Sequence, residues 1–182
     1  FPVTELLMRR LGATLQLTIA ALALATVMAF VISLVSVMNR GRFLNRLAMF
    51  WLGLSYAVPT FWLGVLLIML FSVQLKLLPP TGYASIIEEP GEGWRYLLLP
   101  AVTLGIYTSS ILARFLRSSL LEVIGQDFIR TAQAKGLPER LVFLRHALQN
   151  ALIPVVTVLG VQFGTLLGGA VVTEAVFDWP GV

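Results

Sequence analysis

The sequence predicts an all-α integral membrane protein, a multi-span helical bundle with four transmembrane helices. Three observations carry this. Of its 182 residues, 58% are hydrophobic and only 12% charged, about half the charge of a soluble domain. The charges fall in blocks that leave residues 11–39, 47–75, 96–113 and 147–173 without Asp, Glu, Lys or Arg. About 20 apolar residues cross a hydrocarbon core, so each window can span once. The basic residues then divide between loops as membrane topology requires.

The first span covers roughly residues 11–38. After it, "NRGRFLNR" supplies Arg40, Arg42 and Arg46 with no acid. The second runs over 47–75, with Pro59 in "LSYAVPTFWLG" expected to kink it. Tyr56 and Thr60 flank that kink four residues apart, on one helical face. They either line a polar translocation path or satisfy the backbone that proline frees, and the second role is preferred. The outer loop "LPPTGYASIIEEPGEGWR" is turn-rich and expected to be irregular. The third span, over 96–116, contains "YTSS" (107–110), for which interhelical hydrogen bonding is preferred over a path-lining role. The fourth covers 152–173. Gly160, Gly164 and Gly168 leave a bare packing groove on one of its faces. Trp51, Trp94 and Trp179 fall near span ends, as interfacial aromatics do, whereas Trp62 does not.

Orientation follows from Lys and Arg. Nine of the thirteen lie in the loop after the first span and in 114–146, which therefore share the cytoplasmic face. Both ends of the chain are then external. The opening Phe1-Pro2 and the ending at Val182 suggest a piece of something longer, with at least one span upstream.

Several functions are excluded. With no cysteine and His146 as the sole histidine, there is no thiolate site and no histidine metal cluster. There is no phosphate-binding G-x-x-x-x-G-K-[ST] loop, so energy must come from a partner. The net charge of +4 sits in short blocks rather than a stripe, which argues against nucleic acid. Uncharged spans also disfavour an ion-coupled carrier, although backbone carbonyls can bind sodium.

The basic stretch 117–150 is read as an elbow. Leu116, Leu120, Val123 and Ile124 form a stripe that extends the third span as an amphipathic helix ended by Gly125. Asp127 is a candidate N-cap for a helix over 128–135, closed by a left-handed Gly136. Pro138 opens the next helix, with Glu139 in its first turn. Leu141, Leu144, Leu148 and Leu152 are its apolar stripe, and Pro154 marks the approach to the last span. The elbow is either an interfacial helix pair lying on anionic membrane lipid or a docking knob. The Gly-x-Pro break favours docking.

"GQDFIRTAQAKGLPERLVFLRHALQNALIPVVTVLGVQFGTLLGGAVVTEAVFDWPG" resembles the signature region of bacterial binding-protein-dependent ABC importer permeases. The similarity is strongest to their dipeptide, oligopeptide, glutathione and nickel branch. The superfamily's Glu-Ala-Ala-x-x-x-Gly loop corresponds to Arg130, Thr131, Ala132 and Gly136, with the Arg-Thr-Ala form usual in that branch. His146, Asn150, Pro154 and "SSLLEVIGQDF" also match, and the likeness extends over essentially the whole chain. It implies a non-enzymatic subunit of the type I importer fold, carrying spans two to five of six and no cofactor. The implied partners are a second permease subunit, two cytoplasmic ATPase subunits and a periplasmic solute-binding protein. By resemblance, Arg130, Thr131, Ala132, Ala134, Lys135, Gly136, Leu137, Glu139 and Arg140 form the ATPase-coupling loop. The implied solute is a small peptide-like molecule or nickel, and the location a bacterial inner membrane. The alternatives are an ion-coupled carrier or channel without an ATPase, and an assembly subunit.

Overall fold

A computed structural model describes residues 3–181; Phe1, Pro2 and Val182, on which the expectation of a longer chain draws, lie outside the described residues. The helices are α1 (Val3–Met38), α2 (Phe43–Ala57), α3 (Thr60–Leu67), α4 (Pro90–Ile124), α5 (Asp127–Ala134), α6 (Glu139–Leu141), α7 (Gln149–Gly169) and α8 (Val171–Phe177). Two π-helical stretches, Ile68–Gln74 and Val142–Leu148, prolong α3 and join α6 to α7.

Among the described residues, three helices are long and apolar enough to cross a membrane, and a fourth crossing is available if α2 and α3 with its π-helical extension count as one bent span. α4 is central, packed against α1, α2, α3, α7 and α8. Its contact with α1 is a seam of small residues. Ala13, Leu17, Ala21, Ala25 and Ala29 recur every fourth position and are all sealed from solvent. Small side chains let two backbones approach closely, which is how membrane helices gain dispersion energy. Gly105 answers from α4, where an added Cβ would meet the Ala21 carbonyl oxygen at 3.3 Å. Ser33 Oγ donates to the Ala113 carbonyl at 2.9 Å and extends the seam.

The glycine groove on the last span is not the counterpart of this seam. A Cβ added at Gly160, Gly164 or Gly168 would meet nothing within 4 Å, and all three are exposed. The groove is unfilled by the described residues.

The second window departs from a simple kinked span. The chain turns by 102° between α2 and α3. Proline forces the residue before it out of helical geometry, and Val58 and Pro59 are both extended, with ψ of 124° and 135°. Tyr56 and Thr60 therefore sit on two helices rather than one face.

The last window differs in the other direction. Residues 139–168 form one continuous run with Pro154 inside it, so the second arm of the elbow and the last span are a single helix. Its buried face is Val142, Ala147, Ala151 and Val155, while Leu141 and Leu144 are exposed. The first interval is five residues because the π-helical turn inserts one extra position. Of the expected stripe, Leu148 and Leu152 are half-buried and pack against the core, whereas Leu141 and Leu144 fall outside it.

Two further details shift. α4 begins at Pro90, taking in the end of the loop expected to be irregular. Trp179 is not interfacial: it is buried, and its Nε1–H donates to the Ala13 carbonyl at 3.0 Å.

Candidate functional site

Local sequence builds the elbow tightly. Gly125 caps α4, and α5 follows with Gln126, not Asp127, at its N-cap. Asp127 is instead the first helical residue. There it faces Arg130 at 3.5 Å, and its carbonyl accepts from Thr131 Oγ1 at 2.9 Å. Gly136 has φ of +77°, the left-handed geometry that ends α5 at low cost. Pro138 is the N-cap of α6 rather than its first residue.

The coupling candidates separate into two groups. Ala132 is buried with Ile129, Val142 and Ala147, and the half-buried Leu137 packs against them. These residues hold the elbow to the bundle. Arg130, Thr131, Ala134, Lys135, Gly136, Glu139 and Arg140 are exposed and form the tip. Met38 and Leu34, at the end of α1, share a groove of about 740 Å³ with elbow residues such as Ile129 and Phe143. The "NRGRFLNR" loop and the elbow thus lie at one end of the bundle. Asn150 Nδ2 donates to the His146 carbonyl at 2.7 Å, so these two matching residues stabilise the helix behind the elbow.

A second site opens where α2 and α3 part. Tyr56 and Thr60 line a recess of about 420 Å³, together with Tyr107, Thr108, Gln162 and Thr165. Its walls are uncharged and largely apolar, with Val58, Phe61, Leu104 and Val172 among them, and the hydroxyls and the Gln162 amide are set into that apolar lining. Thr108 Oγ1 is buried without a hydrogen-bond partner, whereas Ser109 and Ser110 donate to carbonyls of their own helix, Ile106 and Tyr107. The "YTSS" serines therefore do not bridge helices. Gln162 was the overlooked signal, the one side-chain amide between Ala151 and Thr173.

Sequence reasoning also missed a closure at the opposite end. α8 stops at Asp178, whose φ of 52° turns the chain back toward α1. Thr14 Oγ1 donates to the buried Glu174 at 2.9 Å, and Gly181 lies directly against the Glu174 carboxyl group, where no side chain would fit. Tyr83 meets Trp179 edge-on, with ring centroids 4.8 Å apart. Phe177 packs so near Gly64 that an added Cβ would lie 3.0 Å from its ring.

Burial raises the Glu174 pKa above the ordinary carboxylate value, and the Thr14 hydrogen bond offsets only part of this. The folded chain then binds this proton more tightly than the unfolded chain does. Stability should be greatest in acid and fall as pH rises from the ordinary carboxylate value through the raised one. Glu174→Gln is expected to remove that fall, measured as thermal midpoint against pH in nanodiscs. An identical pH slope in the variant would refute the assignment.

The family described as "Binding-protein-dependent transport system inner membrane component" matches residues 21–182. The glutathione transport system permease protein GsiC of Salmonella typhimurium strain LT2 is 42% identical over 181 residues, and that of Escherichia coli K12 is 41% identical. Each alignment takes in 100% of this chain and 56% of the relative, so the chain spans about half the length of these relatives. A chain in the crystal structure of an amino acid ABC transporter with histidines superposes with a TM-score of 0.75 at 17% identity. It covers 98% of this chain and 74% of that one, a likeness of fold. An all-helical bundle with a broken second window and a glycine-tipped elbow, matched along nearly its whole length, belongs to the family of binding-protein-dependent transport system inner membrane components.

Proposed function

We propose that the chain is the core of a permease subunit that moves a small peptide-like solute, glutathione being the leading candidate, under the drive of cytoplasmic ATPases. The observation that carries this is the elbow, an exposed tip on a buried apolar root, continuous with one long helix and joined to a second through Gly125 and Gln126 alone. Force applied at such a tip reaches the bundle without passing through a flexible linker. The exposed residues around Gly136 are the ATPase-docking surface, and Arg130, Lys135 and Arg140 meet acidic groups there. The elbow faces the cytoplasm and both ends of the chain face outward, as the Lys and Arg distribution requires.

In this reading the recess between α2, α3, α4 and α7 belongs to the solute's path. Its hydroxyls and the Gln162 amide, set in a largely apolar lining, offer partners to peptide bonds, which need them when they leave water. A second permease subunit completes the path, ATPases bind below, and a periplasmic receptor delivers the solute from outside.

The test is reconstitution of the full-length protein with its co-purifying subunits in liposomes. Labelled glutathione uptake should require both ATP and the receptor. Uptake by the purified permease alone, driven by an ion gradient, would establish the ion-coupled carrier instead.

A further inference from the structure

One cation adjoins the recess. The Arg114 guanidinium carbon lies 4.3 Å from the ring centroid of Tyr56. That ring in turn stacks on Tyr107, with centroids 5.8 Å apart and planes 12° from parallel. Both tyrosines line the recess. Arg114 follows Tyr107 by seven residues on α4, two helical turns and about 10 Å toward the elbow on the same face. It therefore stands at the elbow-side mouth.

Its surroundings leave the charge available. Among the described residues no carboxylate forms an ion pair with Arg114, and residues 96–113 before it carry no charge. The side chain is exposed rather than buried in packing. An aromatic face attracts a guanidinium and fixes its plane, leaving its N–H edge free to donate. A planar fork of this kind matches a carboxylate, which can accept two parallel hydrogen bonds from it. The same positive charge repels a free divalent metal ion.

We propose that Arg114, seated on the Tyr56–Tyr107 stack, recognises a solute carboxylate at the elbow-side mouth, so that the cargo is a carboxylate-bearing peptide and not a metal cation. This rests on the transport reading above and narrows it. Tyr56 acts through Arg114, as the platform that orients it.

The test uses the full-length permease with its ATPases, partner permease and receptor in proteoliposomes. Uptake of glutathione is compared with that of its bis-carboxamide, in wild type, Arg114→Gln and Arg114→Lys. The same receptor serves all three, so its own preference cancels between them. Loss of a charge-assisted pair corresponds to a fall of about 10–100-fold in the wild-type ratio of acid to amide transport. Arg114→Gln should show this through half-saturation rather than maximal rate, and lysine should restore part of it. An unchanged ratio in an assembled Arg114→Gln complex would overturn the carboxylate assignment while leaving the transport reading intact. A wild-type complex that moves neither peptide, and whose ATPase neither stimulates, would overturn both.

Discussion

Gly136→Trp in the full-length, assembled complex is expected to abolish solute-stimulated ATP hydrolysis while leaving membrane insertion unaffected. Gly136 sits at the tip with φ of +77°, and an added Cβ there would meet nothing within 4 Å. The indole therefore has room within this chain and projects outward, into whatever surface docks on the tip. A side chain in left-handed geometry adds roughly 1–2 kcal/mol of backbone strain. Coupling requires only that the docked partner contact two permease states unequally, so blocking that contact removes the difference itself. Gly136→Ala separates the two effects, since it carries the strain without the bulk. Stimulated hydrolysis should fall partway in the alanine variant and below about a tenth of wild type in the tryptophan variant, equivalent to ~1.4 kcal/mol or more of lost coupling. Normal stimulation in Gly136→Trp would remove the tip from the coupling path.

The largest loss of stability is expected from Ala25→Leu. Ala25 is fully sealed within the small-residue seam, clustered with Ala29, Leu52, Leu112 and Ala113. Three added carbons have no void to enter and must force α1 away from α4. Overpacking of this kind costs about 1–3 kcal/mol, and here it acts along the largest helix contact in the bundle. Gly164→Leu is the matched control. It adds a larger increment to an exposed helix face where nothing lies within 4 Å, so the isolated full-length chain should keep its thermal midpoint in nanodiscs. Equal midpoints for wild type and Ala25→Leu would show that the seam is loosely packed.

The pair also illustrates what was legible in the residues. Small-residue spacing exists twice, at Ala13 through Ala29 and at Gly160 through Gly168. The glycines draw the eye because they lack any side chain, yet the alanines make the contact within the chain. Spacing identifies a face that can be approached but not the helix that approaches it. The charge-free windows and the elbow's glycine punctuation were readable because each depends on local chemistry, on charge in a bilayer and on φ at Gly136. The 102° turn at Pro59 exceeds a kink, and α3 beyond it packs against Phe177, more than a hundred residues away in sequence and so not readable from the local pattern. The recess was half visible. Tyr56 and Thr60 were picked out, and Tyr107 and Thr108 were weighed within "YTSS", but Gln162 and Thr165 join them only through tertiary packing. Glu174 was invisible as a buried group, since an acid just past a span ordinarily faces water.

The π-helical turn at Val142–Leu148 sets the angular phase between the elbow and the bundle. Each residue of an α-helix advances about 100° around its axis. Deleting a single residue from that turn would leave the flanking segments in phase, with Val142 and Ala147 four apart on one face, whereas tightening it to ordinary pitch with its residues unchanged would carry Val142 off that face by roughly that angle. A passage of this one turn between π and α pitch would then rotate the elbow's second arm against α7 with no change in chain length.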